Sequence, residues 1–402
     1  MRLLIVTNLF APDQAGGAAI YTDFALEMAR RGHAVTVRCA FPYFPEWQDK
    51  SGKNGLRIGR EELDGVRVER FGLVLPKEPQ RLRSRLLFEG SHLASLGRSL
   101  FRGRFDAVLV FATHPSSTAF GALTSRLRRT PLWVNVQDLA SDAARATGVA
   151  QEGRAAGVLQ RIDRLMLGQA DVLSGISPGM VSRLEELSPD SDVRYLPNWL
   201  HRSLADAVAA TEGEPRPALD PPRLLYSGNL GGKQDLLRLC QALARTQLPF
   251  EFEIHTGGTG APALRDWLTA NPDRRFHVGP LLPREEDFIR SMRRAHLFVI
   301  SETAGSGHSY FPSKLLPALA TATPVLAVSD PSSSVGTEVR THQLGISVGW
   351  DEIDGVAGRL EQLVRDPAPL AAWSEHARSR GAAFDRSTLV ERLAVGLESL
   401  AR

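Results

Sequence analysis

The fold is decided near the start of the chain, where residues 3–37 are LLIVTNLFAPDQAGGAAIYTDFALEMARRGHAVTV. The apolar run Leu3 to Val6 predicts a buried strand, and the apolar residues from Ile20 to Met28 recur at helical spacing. A glycine ends that helix, and Ala34 to Val37 predicts the next strand. Strand, helix and strand in this order form a βαβ unit, which opens a parallel sheet.

Apolar runs of strand length recur after this unit at spacings that leave room for helices. In the first half they lie at Ala107 to Phe111, Leu132 to Val136, Val172 to Ile176 and Val193 to Leu196. In the second half they lie at Leu224 to Tyr226, Phe252 to His255, Phe276 to Val278, Leu297 to Ile300, Val325 to Val328 and Ile346 to Val348. The pattern predicts an α/β protein with two Rossmann-like, doubly wound domains.

The boundary between the two domains is predicted by composition. Residues 209–222 are rich in Pro, Gly, Thr and Glu, which is typical of a linker. We therefore expect an N-terminal domain at 1–200, a linker at 201–222 and a second domain at 223–380. Residues 381–402 predict a C-terminal helix that could cross back to the first domain. Ligands of such sheets bind at the carboxyl ends of the strands, so we expect a central cleft that both domains face.

Composition and charge exclude several classes of protein. The 402 residues are 43% hydrophobic and 23% charged, which is typical of a globular chain. A net charge of +3 is too small over this length to indicate a nucleic-acid binder. Two cysteines, Cys39 and Cys240, can form neither a disulfide framework nor a C-x-x-C metal site. We expect a cytoplasmic protein whose membrane contact, if any, is peripheral, because no apolar stretch approaches the length of a membrane span.

Two glycine-rich loops are candidate anion-binding sites. Gly16 and Gly17 lie between the first strand and its helix, where they could admit a ligand or form an ordinary turn. In the second half, Gly228 to Gly232 is followed by Lys233 and a helix. The spacing is not that of a P-loop, because three residues separate Gly228 from Gly232 and Gln234 follows the lysine. Lys233 still suits a diphosphate, because the N–H donors of the loop, the helix dipole and the ammonium converge on one anion, with a solvated surface lysine as the alternative.

A third loop, residues 302–316, is rich in Gly and Ser and follows a buried strand. It ends in Ser313 and Lys314 and indicates a second anion-binding corner, where the two lysines together could neutralise a diphosphate without metal. Elsewhere Asp190 and Asp192 have the spacing of a D-x-D metal motif, but they follow a proline, which favours a turn.

Several short motifs in this order resemble those of the retaining glycosyltransferases of family 4, which have the GT-B fold, and most of all the branch that builds bacterial surface polysaccharides. They are Gly16-Gly17, Val136-Gln137-Asp138-Leu139, Ile176-Ser177-Pro178-Gly179-Met180, Leu196-Pro197-Asn198-Trp199, Ser227-Gly228-Asn229-Leu230 with Lys233, and Pro312-Ser313-Lys314 ahead of Leu319-Ala320 and Thr323-Pro324-Val325. The resemblance covers essentially the whole chain. It departs at Asn229, where many relatives carry Arg, at Gln137, where many carry His, and at Pro317, where many carry the glutamate that holds the ribose.

The resemblance implies that the second domain binds a nucleotide-diphosphate sugar, with a UDP-sugar favoured, and that no metal or other cofactor is needed. The residues expected at the donor are Gly16, Gly17, Gly228, Asn229, Lys233, Gly279, Pro280, Leu281, Gly305, Ser306, Gly307, Ser313 and Lys314, the base packing near Gly279 to Leu281. On the acceptor side of the first domain we expect His114, Gln137 and Asp138. Lys233, Lys314, Gln137 and Asp138 are the candidate catalytic residues. His114 has an alternative role as a turn residue, and Asp138 as a helix cap.

The function implied is transfer of a sugar to an acceptor hydroxyl with retention, in assembly of a bacterial surface polysaccharide or glycoconjugate. A sugar-nucleotide epimerase of the same fold and an inactive binding or scaffold subunit are the alternatives. The expected partners are the nucleotide sugar and a glycan or lipid-linked glycan acceptor, with no nucleic acid. Residues 81–104 carry six arginines, one acid and interleaved Leu and Phe, which favours contact with an anionic membrane at the inner face. A solvated helix face is the alternative.

Overall fold

The structure, a computed structural model, describes residues 1–13, 17–44, 46–55, 57–78, 81–139, 161, 163–305 and 313–402. The chain divides into two compact units. The first consists of Met1–Asn198 with Ser387–Arg402, and the second consists of Trp199–Arg386. The first unit thus leaves the chain at Asn198, two residues before the predicted end of the first domain, and the second unit extends six residues past the predicted end of the second domain.

The first unit is built on one eight-stranded sheet. Its strands are β1 (Arg2–Val6), β2 (Ala34–Ala40), β3 (Ile58–Leu63), β4 (Val66–Phe71), β5 (Ala107–Ala112), β6 (Leu132–Val136), β7 (Val172–Gly175) and β8 (Asp192–Tyr195). They lie in the order β3-β4-β2-β1-β5-β6-β7-β8, and every neighbouring pair is parallel except β3 with β4. Leu3 to Val6 are fully buried, because a parallel sheet is covered on both faces.

The second unit contains a six-stranded parallel sheet. Its strands are β9 (Arg223–Ser227), β10 (Glu251–His255), β11 (Phe276–Gly279), β12 (Leu297–Ser301), β13 (Val325–Val328) and β14 (Gly345–Val348). Their order is β11-β10-β9-β12-β13-β14. The core beneath this sheet is made of apolar side chains from the strands and helices, among them Leu239, Phe252 and Val299, all of which are fully buried.

Among the described residues, the helices of the first unit include α1 (Ala18–Arg30), α2 (Leu82–Gly97), α3 (Pro115–Arg128) and α4 (Pro178–Leu187). Those of the second unit are α5 (Arg202–Ala210), α6 (Leu236–Ala244), α7 (Ala261–Ala270), α8 (Glu285–Arg294), α9 (Leu315–Ala320), α10 (Ser334–Thr341), α11 (Val356–Arg365) and α12 (Ala368–Gly381). The last helix is α13 (Arg386–Leu400), and short 3₁₀ turns lie at Ile353–Gly355 and Ala382–Phe384. None of the helices within the described ranges is long and apolar enough to cross a membrane.

Each sheet reverses its strand order at one point, which positions a candidate site. The reversal lies between β1 and β5 in the first unit and between β9 and β12 in the second. Loops that leave neighbouring strands at such a point diverge, and the crevice between them is where open α/β sheets bind ligands. The loops of interest therefore follow the carboxyl ends of these four strands.

The predicted linker at 201–222 is corrected over its first half, since Arg202–Ala210 forms helix α5. Leu204 and Ala207 are buried against Ile289 of α8, and the Nε of Arg293 donates to the hydroxyl of Thr211 at 2.9 Å. Leu204 and Ala207 lie three residues apart, a helical spacing, whereas the compositional signal for a linker begins only after them.

Helix α13 packs on the first unit through ion pairs and a close backbone approach. Arg31 contacts Glu391 at 2.6 Å, and the Nε2 of His33 contacts Glu398 at 3.0 Å. A Cβ added at Gly396 would lie 2.5 Å from the ring of the buried Trp133. Glycine at this position therefore lets the helix lie directly on the indole.

We predict that Gly396→Val destabilises the chain, because the added methyl groups overpack against the Trp133 ring. The expected loss in the free energy of unfolding is about 1–3 kcal/mol. Gly358→Val in α11 is the matched control, since no atom lies within 4 Å of its Cβ position. Urea unfolding of both variants measures the difference. Equal stability of the two would contradict the packing of α13 on Trp133.

Candidate active site

The two loops at the reversal point of the second sheet are hydrogen-bonded to each other. The backbone N–H of Thr303, after β12, donates to the carbonyl of Lys233 at 2.9 Å. The Thr303 hydroxyl donates to the carbonyl of Gly232 at 3.1 Å. Lys233 lies two residues before Asp235, whose carboxylate caps α6 by accepting the N–H of Arg238 at 3.3 Å. These bonds hold the lysine-bearing loop beside the loop that follows β12.

Lys314 reaches the same corner from the start of α9. Its ammonium donates to the hydroxyl of Tyr226 at 2.9 Å and lies 4.3 Å from the centre of that ring. The Tyr226 hydroxyl in turn donates to the carbonyl of Asn229 at 3.2 Å. Gly228 has a φ of +138°, and a Cβ there would lie 2.5 Å from the Lys314 Nζ. Only glycine both adopts this backbone conformation readily and leaves room for the lysine.

The charge state of Lys314 depends on this environment. Burial lowers the pKa of the Lys314 ammonium to about 7, and burial raises the pKa of Tyr226 above its usual range. The Tyr226 hydroxyl and the ring face stabilise the ammonium only partly. An anion at this place would favour the protonated lysine, so the geometry suits a phosphate group.

The loop that contains Gly228 is also braced by the loop after β10. The N–H of Gly228 donates to the carbonyl of His255 at 3.0 Å, and the Thr256 hydroxyl donates to the carbonyl of Gly228 at 2.8 Å. The N–H of Leu230 donates to the carbonyl of Gly257 at 2.8 Å. The glycine-rich loop is thus held at both ends and is preorganised for a ligand.

The residues predicted to contact the base follow β11 at the same edge of the sheet. The carbonyl of Gly279 accepts the N–H of Thr256 at 3.0 Å, and the carbonyl of Pro280 lies 3.1 Å from the Nδ1 of His255. Leu281 is 40% exposed and borders the Cβ position of Gly257 at 3.6 Å. The structure therefore places Gly279, Pro280 and Leu281 next to the loop after β10, which braces the glycine-rich loop, and their contact with a base stays a prediction.

Three predicted donor residues, Gly16, Ser306 and Gly307, lie outside the described residues. Gly305 is described, and its N–H donates to the Asp330 carboxylate at 2.5 Å, while Ser313 is exposed in the turn before Lys314. Pro317 lies buried in α9, where its carbonyl accepts the Thr321 N–H at 3.0 Å. A pyrrolidine ring offers no donor or acceptor to a ribose.

In the first unit, His114 lies at the start of α3 and is held by a carboxylate. The Nδ1 of His114 lies 3.0 Å from Glu89 of α2, and its Nε2 lies 3.4 Å from the hydroxyl of the buried Tyr43. The other oxygen of Glu89 accepts the N–H of Ser116 at 2.9 Å. Glu89 was missed as a positioning residue, although it is the one acid among the arginines of residues 81–104.

The pKa of Glu89 shows how firmly it is held. Burial acts to raise this pKa, but the charge and hydrogen bond of His114 and the two hydrogen bonds of Ser116 outweigh burial and lower it to about 2. Glu89 therefore stays ionised throughout the physiological range. Its charge orients the imidazole so that Nε2 points towards Tyr43.

Gln137 follows β6 and is almost fully buried. Its amide donates to Asn135 at 2.5 Å and to Asn198 at 3.0 Å, and Asn198 donates back to it at 2.9 Å. This arrangement positions the loop at Asn198. The N–H of Asp138 donates to the carbonyl of Ala112 at 3.3 Å. Whether Asp138 caps a helix depends on residues beyond the described ones, so its role stays a prediction.

Gly17 is the described part of the first glycine-rich loop. Its φ is +89° at the start of α1, and a Cβ there would collide with the hydroxyl of Tyr21. Tyr21 stacks on Phe111 with ring centres 4.3 Å apart. Burial, and then the charge of Asp138, raise the pKa of Tyr21 well above its usual range. Glycine is therefore required for close packing of α1 on β5, and ligand contact at this loop stays a prediction.

The donor groups for a metal ion are sparse in the part of the chain that the structure describes. No group of three or more His, Cys, Asp or Glu side chains in it could hold an ion. The D-x-D spacing lies at a turn: Ser191 donates to the carbonyl of Ser188 at 3.1 Å, and Asp192 pairs with Arg194 at 3.0 Å.

Comparison with known proteins finds similarity to glycosyl transferases. Residues 16–199 match the family of the glycosyl transferase 4-like domain. WcaI of Escherichia coli (strain K12), described as a colanic acid biosynthesis glycosyl transferase, is 26% identical over 394 residues that span 94% of this chain and 95% of WcaI.

Two solved structures are similar over nearly their whole length. Sucrose-phosphate synthase from Thermosynechococcus elongatus has a TM-score of 0.72 at 15% identity, covering 99% of this chain and 98% of that one. HepE of Anabaena, solved in complex with UDP, has a TM-score of 0.70 at 15% identity, covering 99% and 100%. These likenesses confirm the predicted GT-B fold.

We predict that Gly228→Ala weakens UDP binding, because its methyl group would displace the Lys314 ammonium. The expected loss is about 1.5–3 kcal/mol, the value of a hydrogen bond to a charged group. The control is Gly213→Ala, which has a comparable positive φ of +85° and an open Cβ position. Calorimetry with UDP measures both. Equal affinity of the two variants for UDP would contradict a contact between Lys314 and the ligand.

We predict that UDP binding takes up a proton at pH 8. Free Lys314 has a pKa of about 7, so it is mostly neutral at that pH, and a bound diphosphate favours the charged form. Affinity should therefore fall as the pH rises from 7 to 9. Calorimetry at pH 8 in buffers of different ionisation enthalpy measures the uptake, which should vanish in Lys314→Met. Proton uptake that persists in this variant would refute the assignment.

Proposed function

We propose that this chain, a glycosyltransferase of family 4 with the GT-B fold, transfers a sugar from a UDP-sugar to a hydroxyl of a bacterial surface polysaccharide precursor, with retention. The observation that carries the proposal is the Lys314 ammonium lying over Gly228 against Tyr226. A half-buried cation beside a preorganised glycine-rich loop is suited to a diphosphate.

The chemistry proposed for the second unit is stabilisation of the leaving group. As the bond between the anomeric carbon and the diphosphate breaks, negative charge develops on the departing oxygen. Lys314 and Lys233 neutralise that charge, and the N–H groups of the loop after β9 add hydrogen bonds. Because these groups supply the electrostatic stabilisation, the transfer proceeds without a metal ion.

The first unit supplies the acceptor side in this proposal. His114 is held by Glu89 at 3.0 Å, with its Nε2 near the buried Tyr43, and its imidazole is the polar group proposed to meet a sugar hydroxyl. As the bond to the diphosphate breaks, the acceptor oxygen bonds to the anomeric carbon from the same face, and the proton of its hydroxyl passes to the departing phosphate oxygen. Attack from the face that the diphosphate leaves gives retention. Asp138 lies after the neighbouring strand β6 and is proposed to contact the same acceptor.

The comparisons support the choice of donor and pathway. HepE is solved with UDP. WcaI is described as a glycosyl transferase of the biosynthesis of colanic acid, which is an exopolysaccharide. We therefore propose a UDP-sugar donor, a growing surface glycan as acceptor, and a place in the cytoplasm, where nucleotide sugars are available.

We predict that the purified chain hydrolyses its UDP-sugar donor slowly in the absence of acceptor, and that excess chelator leaves the rate unchanged. Lys233→Ala and Lys314→Ala should each weaken UDP binding by about 1.5–3 kcal/mol. The exposed Lys53→Ala is the control. Donors are found by a thermal-shift screen of nucleoside diphosphates and their sugars, since a ligand of the folded state raises Tm.

The binding, turnover and product assays together separate the alternatives. Binding of UDP without hydrolysis or transfer would favour the inactive scaffold, and loss of turnover in chelator would refute metal independence. An inverted product anomer by NMR would refute retention. Interconversion of two sugar nucleotides without an acceptor would favour the epimerase.

A further inference from the structure

The end of strand β10 carries a histidine that joins two loops of the second unit. The backbone carbonyl of His255 accepts the N–H of Gly228 at 3.0 Å, and its Nδ1 lies 3.1 Å from the carbonyl of Pro280. The first of these bonds belongs to the glycine-rich loop, and the second belongs to the loop after β11. His255 therefore contacts both of the loops that the donor nucleotide is proposed to meet.

Glu253 holds the other side of the imidazole. Its carboxylate lies 2.6 Å from the Nε2 of His255 and accepts the hydroxyl of Ser291, in helix α8, at 3.2 Å. Glu253 and His255 are two residues apart on one strand, so their side chains point to the same face of the sheet. A chain of contacts thus runs from α8 through the carboxylate and the imidazole to the carbonyl of Pro280.

Two hydrogen bonds fix the orientation of this ring. The carbonyl of Pro280 and the carboxylate of Glu253 are both acceptors, so each ring nitrogen donates when the two bonds form. The Nδ1 edge of the ring lies against Gly279, where a Cβ would lie 3.4 Å from that nitrogen. His255 also borders a trough of about 820 Å³ that His277 lines as well. The trough gives the ring room to turn when the carboxylate is removed.

The bond to His255 also sets the direction of the next backbone N–H. In a planar trans peptide the C=O and the N–H point in opposite directions. Because the Pro280 carbonyl is directed at the imidazole, the N–H of Leu281 is directed away from it. That N–H donates to no residue that the structure describes, and the Leu281 side chain is 40% exposed. It is therefore available to a ligand beside the loop after β11.

We propose that Glu253 and His255 are positioning residues for the donor base, a step that rests on the proposed function. Glu253 orients the imidazole, and the imidazole holds the Pro280 carbonyl. The N–H of Leu281 then faces a carbonyl oxygen of the uracil. Neither of the two side chains contacts the nucleotide, because they act through the peptide between Pro280 and Leu281.

The test compares three replacements of His255 by calorimetry with UDP and, separately, with inorganic pyrophosphate. His255→Asn keeps a donor near the place of Nδ1, His255→Gln keeps one near the place of Nε2, and His255→Phe keeps a ring without either. Pyrophosphate has no base, so its binding reports the glycine-rich loop, which the backbone carbonyl of residue 255 holds in every variant. The matched control is His277→Phe, since His277 is exposed on the neighbouring strand and its side chain bonds to no described residue.

UDP binding should follow the bond to Pro280. His255→Phe and His255→Gln should each weaken it about 10-fold, because an oriented hydrogen bond to the loop after β11 is lost. His255→Asn should stay within about threefold of the wild type, since its amide still donates to the Pro280 carbonyl. All three variants and the control should bind pyrophosphate as the wild type does. In donor hydrolysis, His255→Phe should raise KM and retain kcat, which is the signature of lost uniform binding.

Glu253→Ala tests whether the carboxylate acts through the imidazole. Alone, this change should weaken UDP binding in the same direction as His255→Phe, because the ring loses its anchor. Added to His255→Phe, it should have no further effect, since residues in one chain of contacts are not additive.

Equal UDP affinity of His255→Phe and the wild type would overturn the proposal, and so would additive losses in the double variant. Failure of His255→Asn to retain affinity would show that the imidazole itself meets the base, which contradicts a positioning role. Equal losses of UDP and pyrophosphate binding in His255→Phe would show a general structural role and overturn it as well. A wild type that binds no UDP would contradict the proposed function and with it the positioning role, whereas UDP binding that no variant alters contradicts the positioning role alone.

Discussion

The contact of the Lys314 ammonium with Tyr226, across the bare backbone of Gly228, is the interaction on which the site depends. It places a half-buried cation at the reversal point of the second sheet, where its own solvation is incomplete. A lysine with a pKa of about 7 gains more from an anion than an exposed lysine does, because binding restores the charge that burial disfavours. The bonds from Thr256 and Thr303 serve this contact by fixing the loop around it.

In the first unit the partly buried charged group is a carboxylate instead of an ammonium. Glu89 is a partly buried carboxylate whose contacts with His114 and Ser116 lower its pKa to about 2, so Glu89 is ionised in the free protein. Since Glu89 belongs to α2, the orientation of His114 depends on the position of that helix.

Much of the fold could be predicted from residue pattern, because buried parallel strands are continuous apolar runs. The pattern also singled out Lys233 and Lys314 beside glycine-rich loops, and their contact with a diphosphate stays a prediction. The pattern did not reveal helix α5, whose apolar residues were hidden by a linker-like composition after residue 209. Nor did it reveal the role of Glu89, which depends on a contact with His114 across 25 residues. Tyr226 ended a predicted strand without a role, because its partner Lys314 lies 88 residues away. Local pattern carries no information about such pairs.

A crystal structure of the chain with UDP bound tests the central claim most directly. The account predicts that an oxygen of the diphosphate lies about 2.7–3.2 Å from the Nζ of Lys314, with further contacts to N–H groups of the loop between Gly228 and Lys233. The uracil should lie beside Leu281. UDP bound elsewhere, with the Lys314 ammonium still directed only at the Tyr226 hydroxyl, would contradict the account.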